Sequence, residues 1–329
     1  LLPMAAAIWS SPAGDILQFP AASFLRFCLN HGLLQINDRP QWRSPLGGGR
    51  SYVQRIAATL PDVRLNAPVH AVHRNPQGVL VHSPAGPEQF DAVVLATHAP
   101  ETLALLQDPD DAEAALLRAV RYQPNVAVLH TDARFLPQRR KVWSAWNYLG
   151  HSLDDGQRPV CVSYLLNQLQ PLPFTQPVIV TLNPFSTPDP AQTHGIYSYE
   201  HPLFDNAAIA AQKALPGLQG RRSTWFAGAW TGYGFHEDGL KSGRAVAAAL
   251  LSAREDVAIP PDMVLFGEIS LSGALRPVGQ TENRLKEAAK LGFTQAIAPK
   301  GSKLGQVEGM TVRQMPDLTA FVGEMFGAG

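Results

Sequence analysis

The chain has 329 residues and a formal net charge of zero, from 27 basic and 27 acidic side chains. Charged residues make up 16% of the sequence, against about 25% in an average soluble domain, so the composition gives no sign of a polyanion-binding protein. The length predicts two domains rather than one. Cys28 and Cys161 have no paired metal spacing and are too few for a disulfide framework, so we expect two buried thiols in a reducing, cytoplasmic protein.

The first 60 residues have a mainly helical pattern. Residues 1–9 form an apolar run far shorter than the ~18 apolar residues of a membrane span, so they predict neither a transmembrane helix nor a signal peptide. Since residue 1 is leucine and the run has no cap, we expect the chain to begin inside a domain. Apolar spacing predicts one helix at 23–32 and a second that follows the glycines at 47–49 and continues to residue 60.

The middle of the chain predicts strands and two helices. Short strands are expected at 63–65, 69–72 and 79–81, a fully buried strand at 92–97 and a helix at 108–120. Longer runs between proline-rich turns predict an antiparallel sheet within residues 122–200, with strands at 125–130, 142–149, 159–166 and 178–183. A helix is expected at 205–219 and another strand at 223–229.

The most informative stretch is 226–243, which predicts an apolar strand, a glycine-rich turn and the start of a helix. Glycines stand at 228, 232, 234 and 239, and the helix is expected from Asp238 to about residue 254. A helix N-terminus leaves backbone N–H groups unpaired and carries the positive end of the macrodipole, so it favours a negatively polarised ligand. A plain loop followed by a buried helix explains the same pattern equally well.

Residues 260–329 predict a compact α/β unit. A strand at 264–271 leads into a hairpin at 272–273. The helix expected at 282–291 has Leu285 and Ala288 on one face and Gly292 as its C-cap. A short strand at 296–298 and a final helix at 317–326 complete the unit.

Four blocks of the sequence resemble the FAD-dependent oxidoreductases of the amine-oxidase-like superfamily, and most closely a bacterial branch often encoded beside cyclopropane-fatty-acid synthases. The blocks are residues 8–12, 37–43, 91–98 and 226–243, within a similarity that extends over residues 1–247. The resemblance implies an α/β (mixed α+β) FAD/NAD(P)-binding fold with an antiparallel substrate-domain sheet. It also implies that the protein passes a hydride or an electron pair between a small organic substrate and the flavin.

The same resemblance implies a set of FAD contacts. They are Val69, Ala96, Thr97, Gly228, Ala229, Trp230, Glu237, Asp238, Gly239 and Leu240. Val69 would lie at the adenine end, although an ordinary core valine fits that position almost as well, and Thr97 would lie in the turn beneath the cofactor. Gly228 and the amides at 237–240 would face the flavin and its ribityl chain, near the edge that becomes negative on reduction.

The sequence departs from this superfamily in one respect. Its members begin with a βαβ unit that carries G-x-G-x-x-G, and this chain has no such motif, since residues 47–52 imitate only its first half. We therefore expect an N-terminally truncated, incomplete FAD fold in which flavin binding is weak or absent, and in which activity depends on whether the flavin is retained. No side chain stands out as a catalytic acid or base.

Two further groups of residues have alternative interpretations. His236, Glu237 and Asp238 contain metal-ligating side chains, but three adjacent side chains point in different directions, so no metal site is expected. Four tryptophans either line a substrate cavity or belong to the aromatic core. They are Trp9, Trp42, Trp143 and Trp146.

Residues 245–329 resemble the C-terminal end of the bacterial DNA-repair ATPase family RadA, also called Sms, which is itself similar to the Lon protease domain. We assign residues 1–253 to the flavoprotein-like domain and residues 254–329 to a small Lon-like α/β unit. Glu282 and Arg284 stand where Lon-type sequences have lysines, so proteolysis by a Ser-Lys dyad is not expected. The segment has no phosphate loop of the type G-x-x-x-x-G-K-[ST] and no basic stripe, so neither ATP hydrolysis nor direct nucleic-acid binding is expected from it.

Both families present an alanine-rich helix at residues 245–251, so a join there would preserve the helix. We hypothesise that the chain is a chimera, produced by recombination, design or sequence misassembly. The alternative function is a non-enzymatic module of RadA type, associated with DNA repair, in which the C-terminal segment mediates self-association.

Overall fold

The computed structural model describes residues 2–38, 41, 43–150, 160–255, 260, 262–269, 275–305 and 307–326. The chain divides into two compact units. The first comprises Leu1–Tyr52 and Arg64–Val246, and the second comprises Val53–Val63 and Ala247–Gly329.

The described chain begins with four helices, which are followed by mixed strands and helices. The helices are α1 (Leu2–Trp9), α2 (Ala13–Ile16), α3 (Ala21–Asn30), α4 (Gly49–Ala57), α5 (Ala99–Leu105), α6 (Asp111–Ala119), α7 (Leu166–Leu169), α8 (Asn206–Ala214), α9 (His236–Glu255), α10 (Thr281–Lys290) and α11 (Leu318–Phe326). The strands are β1 (Ala71–Asn75), β2 (Gly78–Ser83), β3 (Gly86–Phe90), β4 (Val93–Leu95), β5 (Tyr122–His130), β6 (Trp146–Leu149), β7 (Cys161–Leu165), β8 (Ile179–Leu182), β9 (Thr193–Pro202), β10 (Thr224–Phe226), β11 (Met263–Leu265), β12 (Glu268–Ile269), β13 (Leu275–Arg276), β14 (Gln295–Pro299) and β15 (Thr311–Met315).

The antiparallel sheet expected at 122–200 is confirmed. Its strand order is β6-β7-β8-β5-β9, and every neighbouring pair is antiparallel. One face packs Ala127, Val162 and Leu182 into a core that includes α1 and α3. Alternate residues of the same strands form the opposite face, where a polar chain and a small apolar cluster are buried.

A parallel pair of strands, β4 and β10, leads into the stretch singled out by its glycines. The buried side chains of Leu95 and Phe226 belong to a core that also contains residues of α6 and of the β1–β2 hairpin. The sequence predicted full burial for 92–97, but Val94 is 41% exposed. That prediction was wrong, because an apolar run of this length does not show how many of its faces are covered.

Other local predictions had mixed outcomes. Residues 63–65 form no strand, and α5, β3, β9 and β15 were not predicted. The hairpin turn expected at 272–273 lies outside the described residues, although β12 and β13 on either side of it pair antiparallel. The two cysteines are buried thiols as expected, and burial raises the pKa of Cys161 to about 11.

The second unit contains a parallel sheet in the order β11-β14-β15, with the helix α10 between β11 and β14 in the chain. The side chains of Met263, Ile297, Met315 and Phe321 form its core. The predicted helix at 282–291 and its glycine cap are confirmed, since α10 ends at Lys290 and Gly292 has a φ of +91°.

Candidate functional site

The strand β10 is held on both edges before the glycine-rich turn begins. Ala227 extends the pairing with β4 by donating its N–H to the carbonyl of Leu95 at 3.0 Å. On the other edge, the side chain of Gln219 accepts from the N–H of Phe226 at 2.8 Å and donates to its carbonyl at 2.7 Å. A side-chain amide therefore replaces a neighbouring strand and fixes where the turn starts.

Gly228 is required by its backbone conformation. Its φ of +143° lies in the region that side chains disfavour, and a Cβ there would lie 2.8 Å from Cδ1 of Trp230 and 3.8 Å from the carbonyl oxygen of Thr97. Its N–H donates to the hydroxyl of Ser242 at 2.9 Å. The turn is thus clamped to α9, and the absence of a Cβ lets the indole of Trp230 pack directly against the backbone of Gly228.

Trp230 contributes a buried donor without an acceptor. Its side chain is 2% exposed, and its Nε1 has no hydrogen-bond partner. The backbone around it is fully engaged, because Gln212 donates from Nε2 to the carbonyls of Trp230 and Gly232, at 2.8 Å in both cases. An indole N–H left unpaired in this way costs free energy unless a ligand accepts from it.

The N-terminal end of α9 packs against the glycine-rich turn that precedes it. The carboxylate of Asp238 accepts from the N–H of Phe235 at 3.0 Å, which caps the helix. The same carboxylate lies against Gly232, where a Cβ would be 2.5 Å from Oδ1. A Cβ on Gly239 would lie 3.7 Å from the backbone nitrogen of Ala229. The helix start therefore sits directly on the turn, and its first amides have no intrahelical acceptors.

The structure brings together six of the ten residues assigned to cofactor binding. They are Thr97, Gly228, Ala229, Trp230, Asp238 and Gly239. Ala96 precedes Thr97 and is exposed. Leu240 is 50% exposed on the first turns of α9, and Glu237 lies 3.7 Å from Lys241 on the helix surface.

Val69 lies elsewhere, two residues before β1, and is 38% exposed. The alternative interpretation of Val69 as an ordinary core valine is therefore wrong.

His236, Glu237 and Asp238 have three different partners. His236 accepts or donates a hydrogen bond at Nδ1 with the hydroxyl of Tyr52, at the start of α4. Asp238 caps the helix and Glu237 faces Lys241. Among the residues that the structure describes, no group of three or more His, Cys, Asp or Glu side chains could hold a metal ion.

The three tryptophans of this set that lie within the described residues do not form a common cavity. Trp9 is 4% exposed, donates from Nε1 to the carbonyl of Tyr233 at 3.1 Å and stands beside a void of only about 10 Å³, so it belongs to the core. Trp143 stacks under the guanidinium of Arg140, whose Cζ lies 4.9 Å from the ring centroid. Trp146 is 44% exposed on the edge strand β6, and Trp42 lies outside the described residues.

A buried polar chain crosses the antiparallel sheet away from the turn. Nε2 of His130 bonds the hydroxyl of Thr181 at 2.8 Å, and that hydroxyl bonds Ser163 at 2.8 Å. Nδ1 of His130 accepts the N–H of Asp132 at 3.2 Å, so the neutral ring is the form that fits. Burial lowers the pKa of His130, and the guanidinium of Arg134 holds the pKa of Asp132 well below its usual range.

Three positioning residues were missed by the sequence reasoning. They are Gln212, Gln219 and Ser242. Ser242 lies in the stretch 226–243. Its hydroxyl reaches the N–H of Gly228, fourteen residues earlier, only because the helix folds back against the turn. The two glutamines gave no local signal, because their acceptors lie 7 to 20 residues further along the chain.

In the second unit, Glu282 and Arg284 are engaged in local contacts. The carboxylate of Glu282 bonds Nζ of Lys286 at 2.6 Å and covers Gly305, where a Cβ would lie 2.7 Å from Cδ. Nε of Arg284 donates to the carbonyl of Gly279 at 3.2 Å. Glu282 therefore forms an ion pair on the surface of α10, and Arg284 anchors the loop that precedes the helix.

Two family models match separate parts of the chain. The model for flavin containing amine oxidoreductases matches residues 22–182, and the model for the Lon protease C-terminal proteolytic domain matches residues 234–316. Gly228, Ala229 and Trp230 lie between the two matches, and Glu237 through Leu240 fall within the second. The chain therefore combines a segment similar to flavin amine oxidoreductases with a Lon-like segment.

Solved structures show the fold of the larger part. A structure named as a candidate protoporphyrinogen oxidase of Exiguobacterium sp. 255-15 matches with a TM-score of 0.50 and 14% identity, over 75% of this chain and 62% of that chain. This similarity shows a shared mixed α/β fold of the FAD-dependent oxidoreductase type, which confirms the expected fold class. Putrescine oxidase bound to putrescine matches with a TM-score of 0.45 and 14% identity, over 63% of this chain and 53% of that chain.

Curated relatives match the C-terminal part. DNA repair protein RadA of Brucella abortus is 64% identical over 58 residues, which are 18% of this chain and 12% of the relative. RadA of Synechocystis sp. is 45% identical over 84 residues, 26% of this chain and 15% of the relative. The chain thus spans less than a fifth of the length of these RadA proteins. The expected resemblance to RadA is confirmed for this segment.

A helix that crosses a bilayer must be long and apolar. Within the described part of the chain, no helix is both long and apolar enough to cross a membrane.

Proposed function

We propose that the first unit binds the flavin ring and ribityl chain of FAD at the turn formed by Gly228, Trp230 and the start of α9. We also propose that it acts as an oxidoreductase of the flavin amine oxidase type. The match of residues 22–182 to that family supports the cofactor, and the geometry of the turn supports the place. When bound, the flavin would accept or return a hydride or an electron pair from a small organic substrate. The protein's part is to orient the ring and to set the charge around it.

The observation that carries this proposal is the unpartnered N–H of Trp230. The indole is 2% exposed and its Nε1 has no partner, while its ring packs so closely on Gly228 that a Cβ there would lie 2.9 Å from Nε1. A buried donor without a protein acceptor favours a ligand that supplies an acceptor atom, and flavin rings and ribityl chains present several such atoms. The residues of the turn therefore fit this part of the cofactor.

The helix start supplies the matching electrostatics. The N-terminal amides of α9 at His236 and Glu237 have no intrahelical acceptors, and the positive end of the helix dipole points toward the turn. Negative charge that develops on a ring held there is stabilised by these groups without any side-chain movement. Leu240 and Ala96 present exposed apolar surface that a flat aromatic ring can cover.

The fit does not extend to the diphosphate, because the chain has no G-x-G-x-x-G sequence to cradle it. We therefore expect weak binding in which the flavin ring supplies most of the affinity. Riboflavin, FMN and FAD should then bind within about tenfold of one another, whereas a complete dinucleotide site would favour FAD by several kcal/mol.

The test is a titration of the purified full chain with each of the three flavins, in which the quenching of flavin fluorescence measures binding. Trp230→Phe should weaken riboflavin binding at least fivefold and raise the melting temperature of the flavin-free protein, since the unpaired donor is gone. Trp9→Phe is the matched control, because it removes an indole N–H that already has an acceptor. It should lower stability and leave flavin affinity unchanged. No quenching by any of the three flavins would overturn the proposal.

A second candidate is supported by the RadA matches alone. In it, the second unit is a non-enzymatic, DNA-repair-associated module that mediates self-association, as 64% identity over 58 residues with a RadA protein suggests. Substitutions on the exposed face of α10, such as Lys286→Glu with Lys290→Glu, should then lower the molecular mass measured by light scattering. An unchanged mass for this variant would count against the second candidate.

A further inference from the structure

The outermost strand of the antiparallel sheet, β9, has an open edge. It runs from Thr193 to Pro202 and pairs with β5 along one side only, and within the described residues no strand lies on its other side. Three of its apolar side chains are well exposed, Ile196 by 66%, Tyr197 by 46% and Tyr199 by 51%. A strand of ten residues with such side chains is long and apolar for an edge, where unpaired backbone groups invite another strand.

The register with β5 shows which backbone groups point outward. Leu203 donates its N–H to the carbonyl of Arg121 at 2.8 Å, so this pair and every second pair as far as Leu129 and Gly195 are the hydrogen-bonded ones. A β-bulge then shifts the register and leaves His194 without a partner on β5. The backbone groups of Ile196, Ser198 and Glu200 therefore face away from β5. Pro202 also faces away from β5, and because proline has no N–H, the outward row of donors ends there. Proline is tolerated at such a position, since the edge lacks a neighbouring strand that would need the N–H.

We propose that β9 is a self-association edge, at which two copies of this chain pair antiparallel about a two-fold axis through Tyr197. The two five-stranded sheets then become one sheet of ten strands. The occupant is a second copy, because the strand is complementary to itself in this register and a two-fold interface uses the same patch on both copies.

Cross-strand neighbours explain the choice of register. With Tyr197 on the axis, Ile196 lies opposite Ser198 of the second copy. The bulge residue His194 comes next to Glu200 of the second copy, which gives a donor and carboxylate pair at each end. Gly195 lies opposite Tyr199 of the second copy and is already covered by the ring of Tyr197 in its own chain.

Other registers are poorer. A shift by two residues in one direction places Glu200 opposite Ile196, and a larger shift places the two Glu200 carboxylates opposite each other, where like charges repel. A shift in the other direction leaves Glu200 without a partner from the second copy. The register on Tyr197 is the one that satisfies both ends.

Disulfide trapping tests the register directly. Two residues on the axis form a non-hydrogen-bonded pair with Cα atoms about 4.5 Å apart, which a disulfide can bridge. Tyr197→Cys should therefore give an inter-chain disulfide within minutes under a glutathione redox buffer. Ile196→Cys is the matched control, because its own copy lies diagonally across the axis at more than the ~7 Å limit. Cys28 and Cys161 are 0% and 1% exposed and do not compete.

The equilibrium is tested by light scattering and sedimentation of the full chain over a range of concentrations. Ser198→Pro removes an outward N–H and should weaken dimerisation at least tenfold, whereas Ser198→Ala keeps that N–H and should dimerise as the unsubstituted chain does. The proposal is overturned by a chain that stays monomeric at all concentrations. It is equally overturned by a dimer that Ser198→Pro leaves intact, or by faster cross-linking through residue 196 than through residue 197. Should Ser198→Pro fail to fold, the comparison of the two cysteine variants decides alone.

Discussion

Arg74 and Glu113 form a two-bonded ion pair whose side chains are only 1% and 0% exposed. Nη1 of the guanidinium lies 2.5 Å from Oε1 of the carboxylate, and Nη2 lies 2.9 Å from Oε2. Arg74 stands on β1 and Glu113 in the first turn of α6, so the pair joins the hairpin to the helix. Asp108 accepts from Nε at 3.0 Å, and although burial opposes it, bonding to the two carboxylates raises the pKa of Arg74.

Removing one partner of this pair should be far more harmful than removing both. Arg74→Met leaves the buried carboxylate of Glu113 uncompensated, which costs about 3–5 kcal/mol of unfolding free energy. The double variant Arg74→Met, Glu113→Leu should recover most of that loss and retain a deficit of about 1 kcal/mol, since Glu113 also accepts the N–H of Asp110. Urea unfolding of the three proteins measures both effects. A double variant no more stable than the single one would contradict this account.

The sequence predicted helices and strands well where apolar residues recurred at the spacing of one face of the element. The alternating runs at 122–200 gave the antiparallel sheet, and the apolar face and glycine cap of α10 gave its helix and its end. It missed β9, because the apolar side chains of this strand, Ile196, Tyr197 and Tyr199, are divided between its two faces and give no clear alternation. The strand is defined by its pairing with β5, which lies about seventy residues earlier in the chain.

The site was only partly predictable for a related reason. Glycines and a helix start are visible in the stretch 226–243, and Gly228 indeed has a backbone conformation that demands glycine. The unpaired state of the Trp230 indole could not be foreseen, because it depends on which acceptors the fold leaves out of reach. The same holds for Gln212, whose amide binds two carbonyls of the turn.

Gly228→Ala should damage the turn far more than Gly243→Ala does. The new Cβ would lie 2.8 Å from Cδ1 of Trp230 at a φ of +143°, so we expect a loss of about 1–3 kcal/mol and no measurable flavin binding. Gly243→Ala is the control, because a Cβ there meets nothing within 4 Å and the residue lies inside α9. It should raise stability by about 0.5–1 kcal/mol. Thermal melts with and without riboflavin measure both variants, and equal effects would refute the role given to Gly228.

Asp132 should stabilise the fold at neutral pH and cease to do so in acid. Its carboxylate binds Arg134 and accepts the N–H of Asp189 at 3.1 Å, and its pKa is depressed below the ordinary 3.8. A depressed carboxyl pKa contributes stability that is present above the unfolded value and is lost as the pH falls below about 4. Asp132→Asn should therefore cost about 1–3 kcal/mol at pH 7 and progressively less below pH 4. Urea unfolding at pH 7, 4 and 3 tests this, and a deficit independent of pH would exclude the charge as its cause.

His130 should make the fold less stable as the pH falls from 7 to 5. Burial lowers the pKa of its ring below the ordinary 6.5, so the unfolded chain binds a proton that the folded chain resists. The stability from the neutral ring is thus present above pH 6.5 and declines below it, by at most about 1.4 kcal/mol per pH unit. His130→Gln should lower stability at pH 7 and flatten the dependence between pH 5 and 7. Ser163→Ala shortens the same polar chain without removing a titrating group, so it should lower stability and keep the original slope. If both variants keep that slope, another group carries the acid sensitivity, and the buried ring of His130 is not its source.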